Sequence, residues 1–277
     1  MKVLKSHQCF DGVVQFWEHD SKETNTKMNF STFTPSGTVK GCIIWLSGLS
    51  CTDENFMAKA GAQKHLADNG LMVICPDTSP RGLKLPHEHD NWDFGAGASF
   101  YVNATTEGYR DHYRMYDYVT KELTALVGEH FGVTKYSIMG HSMGGHGALV
   151  IGLREADKFK SVSAFSPIVN PMAVPWGQKA FPGYLGDDEK AWATYDTCEL
   201  IKAGYHHAHP LLIDQGTSDS FLEVQLKTEN LVKAAEGTNQ KLQLRHRTGY
   251  DHGYYFIATF VREHIEFHAR YLTSNAP

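Results

Sequence analysis

The feature that most constrains the fold of this chain is a series of short segments that are apolar along almost their whole length. Most of them end at small or turn-forming residues. A strand whose two faces are both buried has this pattern, and such strands occur in parallel sheets covered by helices on both sides. Segments with helical spacing lie between them, so the order predicts an α/β fold with a mostly parallel sheet. The series comprises 41–46, 71–75, 136–139, 161–165 and 210–214, and 242–246 closes it.

The remaining segments complete the predicted architecture. Segments 13–19 and 28–34 alternate partly between apolar and polar residues, which indicates an antiparallel pair at a sheet edge and brings the expected sheet to eight strands. Asp53 is expected to cap the first helix and Gly70 to end it. The helices are expected on both faces of the sheet, at 53–69, 111–130, 218–235 and 253–272.

No Pro-, Gly- or Ser-rich linker interrupts the chain, so we expect residues 1–277 to form a single domain. Two connections, 76–110 and 170–209, are too long to be simple turns. We expect them to be loop or cap insertions, because long ordered loops in a compact domain usually carry function.

The composition excludes several classes of protein. The 277 residues include 26 Lys and Arg and 31 Asp and Glu, a net charge of −5, with no basic block of the kind that binds nucleic acid. No apolar run approaches the roughly 20 residues that span a bilayer, and the first residues lack the apolar segment of a secretory signal. The five cysteines are odd in number and widely spaced, which predicts free thiols and a cytoplasmic location.

Residues 140–144, Gly-His-Ser-Met-Gly, match the pattern G-x-S-x-G. They follow the predicted strand 136–139 and precede a helical segment, the context in which this pattern places a nucleophilic serine on a tight strand-to-helix turn. Gly140 and Gly144 flank the turn, where backbone segments crowd together and leave no room for side chains. The motif therefore predicts Ser142 as a nucleophile.

A nucleophilic serine needs a histidine base, and the base needs an acid that orients it. His252 follows the last predicted strand and Asp219 follows the strand before it, both at the carboxyl edge where parallel sheets place ligand sites. We therefore predict His252 as the base and Asp219 as the acid. The less favourable candidates precede a strand (His206, His207, His209), lie within one (His246, Asp214), share a helix face (His264, His268) or adjoin the base (Asp251).

Two backbone N–H groups are needed to bind the oxyanion that forms during acyl transfer. The residue after the nucleophile, Met143, supplies one in enzymes with this motif, and the loop after an earlier strand supplies the other. The loop after 41–46 carries Leu49, which we predict as the second donor, with Gly48 allowing the backbone to come close.

Several segments together resemble the S-formylglutathione hydrolases, also called the esterase D family. The resemblance covers nearly the whole chain in order, and it departs from the usual pattern at Ser50, where Thr is common, and at Gly253, where Ser is common. The matching segments are 47–56, 77–82, 92–95, 116–119, 140–148, 166–167, 175–181, 183–186, 214–216 and 249–257.

The resemblance implies an α/β-hydrolase fold without a metal or an organic cofactor. It implies hydrolysis of S-formylglutathione to formate and glutathione in cytosolic formaldehyde detoxification, with side activity on short acyl esters, by a chain that is often a homodimer. It assigns a catalytic triad to Ser142, Asp219 and His252, and the oxyanion donors to Leu49 and Met143. These are the residues that the spacing also selects.

Further residues are predicted near the substrate. Cys51 lies two residues from Leu49 and is expected to line the pocket rather than merely pack. Trp176 and Lys179 lie in 170–209, where they can shape the cleft or simply pack in a lid. Lys179 and Arg81 are candidates to meet the carboxylates of glutathione, with a solvated surface role as the alternative.

No metal site is predicted. Residues 87–90 and 206–209 are rich in histidine, but neither has the spacing of a known zinc motif, and the mechanism needs no metal.

Other functions fit the same sequence. A general short-chain carboxylesterase would keep the fold and change the substrate. A binding module would have lost catalysis, although all three triad residues are present. An acyltransferase would pass the acyl group to an acceptor other than water.

Overall fold

A computed structural model describes residues 1–274, and within them the chain forms a sheet of nine strands. The six central strands, in the order β5-β4-β6-β7-β8-β9, are all parallel, whereas β1, β2 and β3 extend the sheet antiparallel beyond β5. The predicted class is therefore confirmed. The strands are β1 Lys2–Gln8, β2 Gly12–Ser21, β3 Thr26–Pro35, β4 Gly41–Leu46, β5 Leu71–Pro76, β6 Tyr136–His141, β7 Phe159–Phe165, β8 Leu211–Gly216 and β9 Leu242–Arg247.

The prediction of eight strands is wrong by one, because β1 was missed. All seven residues of β1 are exposed, and its sequence is mostly polar. It forms by pairing with β2 at the edge of the sheet, so its backbone is satisfied by the neighbouring strand although none of its side chains is buried. A search for apolar runs does not detect a strand of this kind.

Helices cover both faces of the sheet, as expected. The helices are α1 Glu54–Lys59, α2 Gln63–Asn69, α3 Met115–Asp117, α4 Thr124–Phe131, α5 Met143–Arg154, α6 Pro175–Leu185, α7 Glu189–Ala193, α8 Thr197–Lys202, α9 Thr228–Ala235 and α10 Tyr254–Leu272. None of the helices within residues 1–274 combines the length and the apolarity needed to cross a bilayer.

The helix boundaries differ from the sequence prediction in several places. The expected helix 53–69 is two helices separated at Gly61, which has a φ of +64°, and Asp53 makes no side-chain capping bond. Gly70 ends α2 in the left-handed conformation, as predicted. The expected helix 111–130 begins only at α3 and continues through a π-helical turn into α4. The expected helix 218–235 likewise opens with a π-helical turn before α9.

Two hydrophobic cores lie on opposite faces of the sheet. Side chains of β4 alternate between them, because successive residues of a strand point to opposite faces. Ile44 and Leu46 pack in the core that includes α5 and the 170–209 segment, whereas Ile43 and Trp45 pack in the core formed with α1, α2 and α10. The 170–209 segment, expected as a loop or cap, contains three helices, α6, α7 and α8, while 76–110 is irregular.

A cluster of charges centred on the buried Asp214 joins β8 and β9 to α10. Asp214 on β8 is fully buried and accepts hydrogen bonds from Arg245 at 2.5 and 3.0 Å and from Arg247 at 2.9 Å. Both arginines also donate to Glu263 of α10, at 2.7 and 2.6 Å. Burial acts to raise the pKa of Asp214, but His264 and Arg245 outweigh it and hold that pKa below its ordinary value.

Replacing Asp214 with Asn leaves the two arginines without their buried counter-charge. We expect the D214N variant to lose about 2 to 3 kcal/mol of unfolding free energy at pH 7, measured by urea denaturation. Because the pKa of Asp214 is depressed in the folded state, the stabilisation is complete above the unfolded pKa of about 3.9 and is lost as pH falls below it.

The difference between D214N and the wild type should therefore shrink at pH 3. The control is Glu266→Gln, which breaks an exposed pair with Arg262 and should change stability by less than about 1 kcal/mol. A D214N variant as stable as the wild type at pH 7 would contradict this account of the cluster.

Candidate active site

Ser142 occupies the single-residue turn between β6 and α5. Its φ of +58° lies in a region that non-glycine residues rarely adopt, as expected for the strained turn that this motif forms. A Cβ atom on Gly140 would lie 2.1 Å from the Gly144 carbonyl oxygen, and one on Gly144 would lie 2.0 Å from the Leu46 carbonyl oxygen. Both glycines are therefore required by close backbone approach, as the sequence predicts.

His252 and Asp219 lie on the loops that follow β9 and β8. The His252 Nδ1 atom is 2.6 Å from Asp219 Oδ2, and Asp219 Oδ1 accepts the backbone N–H of Phe221 at 2.9 Å. Burial acts to raise the pKa of Asp219, but the bond to His252 and the imidazole's charge outweigh it, so the pKa lies below its ordinary value. The carboxylate therefore stays ionised and accepts a hydrogen bond from Nδ1–H, which leaves Nε2 as the acceptor.

Ser142 and His252 line one cavity of about 310 Å³. Within residues 1–274 no direct hydrogen bond joins the serine hydroxyl to the imidazole, and contacts of this kind often tighten only when substrate binds. The imidazole packs edge-on against the ring of Phe221 at a centroid distance of 5.0 Å, which fixes its position at the cavity wall.

Of the predicted oxyanion donors, Leu49 lines this cavity, in the loop after β4, and Met143 begins α5 directly after Ser142, which also lines it. A Cβ atom on Gly48 would lie 3.1 Å from the Ser142 Cβ atom, so this glycine lets the two segments approach. No hydrogen bond within residues 1–274 uses the N–H of Leu49 or of Met143, whereas the neighbouring N–H groups of Ser50 and Cys51 are both bonded. Two unpaired donors thus remain beside the serine.

The other histidines that the sequence offered lie elsewhere. His264 and His268 are fully buried in α10 and share a hydrogen bond to the hydroxyl of Ser163, at 2.9 and 2.8 Å. The His207 Nε2 atom bonds the Phe159 carbonyl at 2.7 Å. In the 87–90 segment, His87 pairs with Asp90 at 2.7 Å. Each of these imidazoles is hydrogen-bonded to residues outside the cavity.

The structure places two of the three predicted pocket residues at the cavity and the third away from it. Cys51 and Trp176 line the cavity, but Lys179 does not, because its ammonium pairs with Asp93. Arg81 is likewise occupied: it pairs with Asp77 at 2.7 Å and donates to the Cys51 carbonyl at 2.9 Å.

Sequence reasoning missed several lining residues because they come from distant segments. One side of the cavity is aromatic: the rings of Trp92 and Trp176 meet edge to face at 5.7 Å, and Trp176 packs on Phe221 at 4.9 Å. Another side is polar and carries Asn55 and Lys59, both on α1. Of these two, only Asn55 had a usable signal, since it lies within 50–56, beside the predicted donor Leu49.

His141 also lines the cavity, although it precedes the nucleophile by one residue. Its ring lies 4.5 Å from that of His252, and neither of its nitrogens has a hydrogen-bond partner within residues 1–274. Burial, and the proximity of His252, hold its pKa well below the usual value, so the imidazole is neutral. The His141 ring therefore adds bulk, and no charge, beside His252.

Comparison with known proteins gives two kinds of match. A family model described as putative esterase matches residues 21–267. The structure of an S-formylglutathione hydrolase from Agrobacterium tumefaciens is similar, with 43% sequence identity, a TM-score of 0.96, and coverage of 98% of this chain and 100% of that one.

More distant structures share the fold alone. A fluorophosphonate-binding serine hydrolase from Staphylococcus aureus is 20% identical, with a TM-score of 0.72 over 93% of this chain and 98% of that one. A ferulic acid esterase from Anaeromyces mucronatus is 17% identical, with a TM-score of 0.62 over 95% and 91%.

The position of Cys51 generates a test with a thiol-directed reagent. Burial raises the pKa of its thiol, so little thiolate is present at neutral pH. We expect N-ethylmaleimide to inactivate the wild type slowly at pH 7 and faster as pH rises toward 9, because the adduct fills the cavity beside Ser142. The Cys51→Ala variant should stay active and become resistant.

The matched control is Cys9→Ala, since Cys9 is also partly exposed but lies outside the cavity. It should remain as sensitive as the wild type. Unchanged sensitivity of the Cys51→Ala variant would contradict the placement of this thiol in the cavity.

Proposed function

This chain belongs to the S-formylglutathione hydrolase family of esterases, and we propose that it hydrolyses S-formylglutathione to formate and glutathione. The observation that carries the proposal is the arrangement around one cavity. Ser142 stands on a strained turn, two unpaired N–H groups lie beside it, and His252 is held by Asp219 at 2.6 Å. This is the set of groups that acyl transfer to and from a serine requires.

In the acylation step, the Ser142 hydroxyl attacks the formyl carbon while His252 Nε2 takes its proton. Asp219 holds the imidazole in the tautomer that accepts at Nε2 and stabilises the imidazolium that forms. The carbonyl oxygen becomes an oxyanion, which the N–H groups of Leu49 and Met143 bind. The carbon–sulfur bond then breaks and His252 returns the proton to the departing sulfur. A thiol with a pKa near 8.5 needs less protonation than an alkoxide would.

In the deacylation step, water takes the place of the thiol. His252 removes a proton from it as its oxygen attacks the formyl ester on Ser142, and the same N–H groups bind the second oxyanion. Collapse of this intermediate returns the proton to Ser142 and releases formic acid, which loses its own proton to solvent and becomes formate. Protons and electron pairs balance without any external redox partner.

The setting of the reaction is part of the proposal. The five cysteines are free thiols, which supports a reducing compartment such as the cytoplasm, where glutathione is also kept reduced. There the reaction would complete the removal of formaldehyde that has condensed with glutathione. We also propose that the enzyme acts as a homodimer and cleaves short acyl esters as a side activity, both on the basis of its family.

We propose that the polar side of the cavity, which carries Asn55 and Lys59, binds the glutathione leaving group. Glutathione carries carboxylates, and the lysine and arginine that the sequence suggested are already paired with Asp93 and Asp77. Lys59 lines the cavity, with its ammonium 5.7 Å from the ring of Tyr254, and forms no ion pair within residues 1–274. Lys59 and His252 line the same cavity, so this cation is available to a carboxylate of the leaving group.

The first test replaces the nucleophile. The Ser142→Ala variant should fold normally and lose activity by about 10⁴-fold or more, on both S-formylglutathione and p-nitrophenyl acetate. Steady-state kinetics measures the loss, and a thermal melt shows that the fold is kept. Labelling by a fluorophosphonate probe should disappear with it.

The wild type separates the candidate functions in the same assay. A large preference in kcat/KM for the thioester over aryl acetates supports the proposal, whereas a preference for aryl acetates favours a general carboxylesterase. Near-normal thioester turnover by a well-folded Ser142→Ala variant would overturn the mechanism.

The second test concerns Lys59. The Lys59→Ala variant should raise KM for S-formylglutathione about two- to fivefold at low salt, the range that a single exposed ion pair contributes, with kcat unchanged. The effect should diminish in 0.5 M salt because exposed charges are screened. KM for the uncharged p-nitrophenyl acetate should stay the same.

The control is Lys64→Ala on α2, a lysine that is exposed but lies away from the cavity and pairs with Asp68. It should leave both KM values unchanged. An equal rise in KM for the charged and the uncharged substrate would refute a charge-based role for Lys59.

A further inference from the structure

We propose that Tyr101 is a positioning residue of the oxyanion hole, which fixes the direction of the Leu49 N–H group through a hydrogen bond to the loop that carries it. The inference rests on the proposed serine chemistry, and it adds a residue that touches neither substrate nor nucleophile. Tyr101 belongs to a short stretch, residues 97–101, which we call the brace segment.

The brace segment holds the oxyanion loop on both sides of Leu49. The Tyr101 hydroxyl donates to the carbonyl oxygen of Ser47 at 2.9 Å, and the N–H of Ser50 donates to the carbonyl oxygen of Gly97 at 2.9 Å. Leu49 lies between these anchors, and its own N–H is unpaired. An N–H group that must point at a transient charge needs its flanking peptide groups fixed, because nothing else holds it before substrate binds.

The same segment also contacts the second donor. The N–H of Phe100 lies 3.3 Å from the Met143 Sδ atom, and His146 of α5 bonds the Phe100 carbonyl at 3.0 Å. A Cβ atom on Gly147 would lie 2.7 Å from the ring of Tyr101, so this ring packs directly against α5. One short stretch of chain thus ties the loop after β4 to the helix that begins at Met143.

The backbone of the brace segment is itself strained. Phe100 and Tyr101 are consecutive aromatic residues with φ values of +52° and +50°. Side chains of this size rarely adopt that region, and such conformations persist only where the surrounding structure imposes them, commonly at functional sites. The left-handed conformation places the Tyr101 hydroxyl against the Ser47 carbonyl and the Phe100 N–H against Met143.

The phenol is suited to a constant structural bond. Tyr101 is fully buried, and burial raises its pKa well above the usual value, so the hydroxyl remains a neutral donor at any working pH. Replacing it with Phe removes one oxygen and leaves the ring in place against α5. The Ser47 carbonyl then loses its donor, and the loop carrying Leu49 is free to relax.

The test compares Tyr101→Phe with Tyr136→Phe. Tyr136 is also buried and donates to backbone carbonyls, those of Thr124 at 2.8 Å and Val133 at 3.0 Å, but it lies at the opposite end of β6 from Ser142. Each substitution removes a phenol–carbonyl bond. Both variants are assayed on p-nitrophenyl acetate well below their melting temperatures, with rates normalised to the active sites titrated by a fluorophosphonate.

We expect kcat of Tyr101→Phe to fall about tenfold with KM within about twofold, a smaller loss than deleting a whole oxyanion donor, which costs about 10²–10³. Affinity for a trifluoromethyl ketone, which forms a tetrahedral oxyanion adduct on the serine, should weaken by the same factor as kcat/KM. Tyr136→Phe should lower the melting temperature while leaving kcat and inhibitor affinity unchanged.

The proposal is overturned if Tyr101→Phe keeps the wild-type kcat per titrated site, or if Tyr136→Phe loses kcat and inhibitor affinity to the same extent. Loss of kcat without the matching loss of inhibitor affinity would also overturn it, because the oxyanion contact would then be intact. The ester assay keeps this outcome separate from the proposed substrate: a wild type that ignores S-formylglutathione but cleaves the ester refutes the substrate alone.

Discussion

The backbone conformation of Ser142 is the constraint on which the rest of the site depends. A residue with a side chain is held at a φ of +58° because its N–H donates to Phe165 of β7 at 3.0 Å and its carbonyl accepts the N–H of His146 at 2.9 Å. These bonds require β7 beside β6 and α5 immediately after the turn. The same turn brings Gly144 against the end of β4, the point at which the loop that carries Leu49 begins. The turn at Ser142 therefore positions the serine hydroxyl and the N-terminus of α5. It also positions the two unpaired N–H groups.

The base and its acid reach the serine by a different route. Parallel strands end at the same edge of a sheet, and β8 and β9 place Asp219 and His252 on neighbouring loops at that edge. Beneath these loops, Asp214, Arg245 and Glu263 tie both strands to α10, the helix that begins two residues after His252. Burying the charge of Asp214 is costly, and the two arginines offset that cost while they join the three elements.

The sequence could predict those parts of the site that depend on chain order and local pattern. The turn at Ser142, the loops of Asp219 and His252 and the strands ahead of them all have local signals. In the structure, Ser142 and His252 line one cavity and Asp219 bonds His252 at 2.6 Å. The remaining lining residues have no such signal, since Lys59 and Trp92 reach the cavity only through the packing of distant segments.

The misses have different physical origins. Lys179 is kept out of the cavity by an ion pair between its ammonium and Asp93, a contact that spans 86 positions of the chain. β1 was missed because an edge strand needs no buried side chain. The split of the helix at Gly61 was missed because a single glycine is tolerated within many helices. Only the contact of Lys179 joins distant positions of the chain, whereas the other two misses are local features with weak signals in a single sequence.

The exposed strand β1 bears on how the molecule behaves among copies of itself. Its outer edge presents backbone N–H and C=O groups to solvent, the arrangement that recruits strands from other chains and leads to aggregates. Two features oppose this: Lys2 and Lys5 place charge along the strand, and the register with β2 shifts between Val3 and Lys5, which twists the edge. The sheet therefore ends in a strand whose charges and irregular register oppose the addition of a strand from another chain.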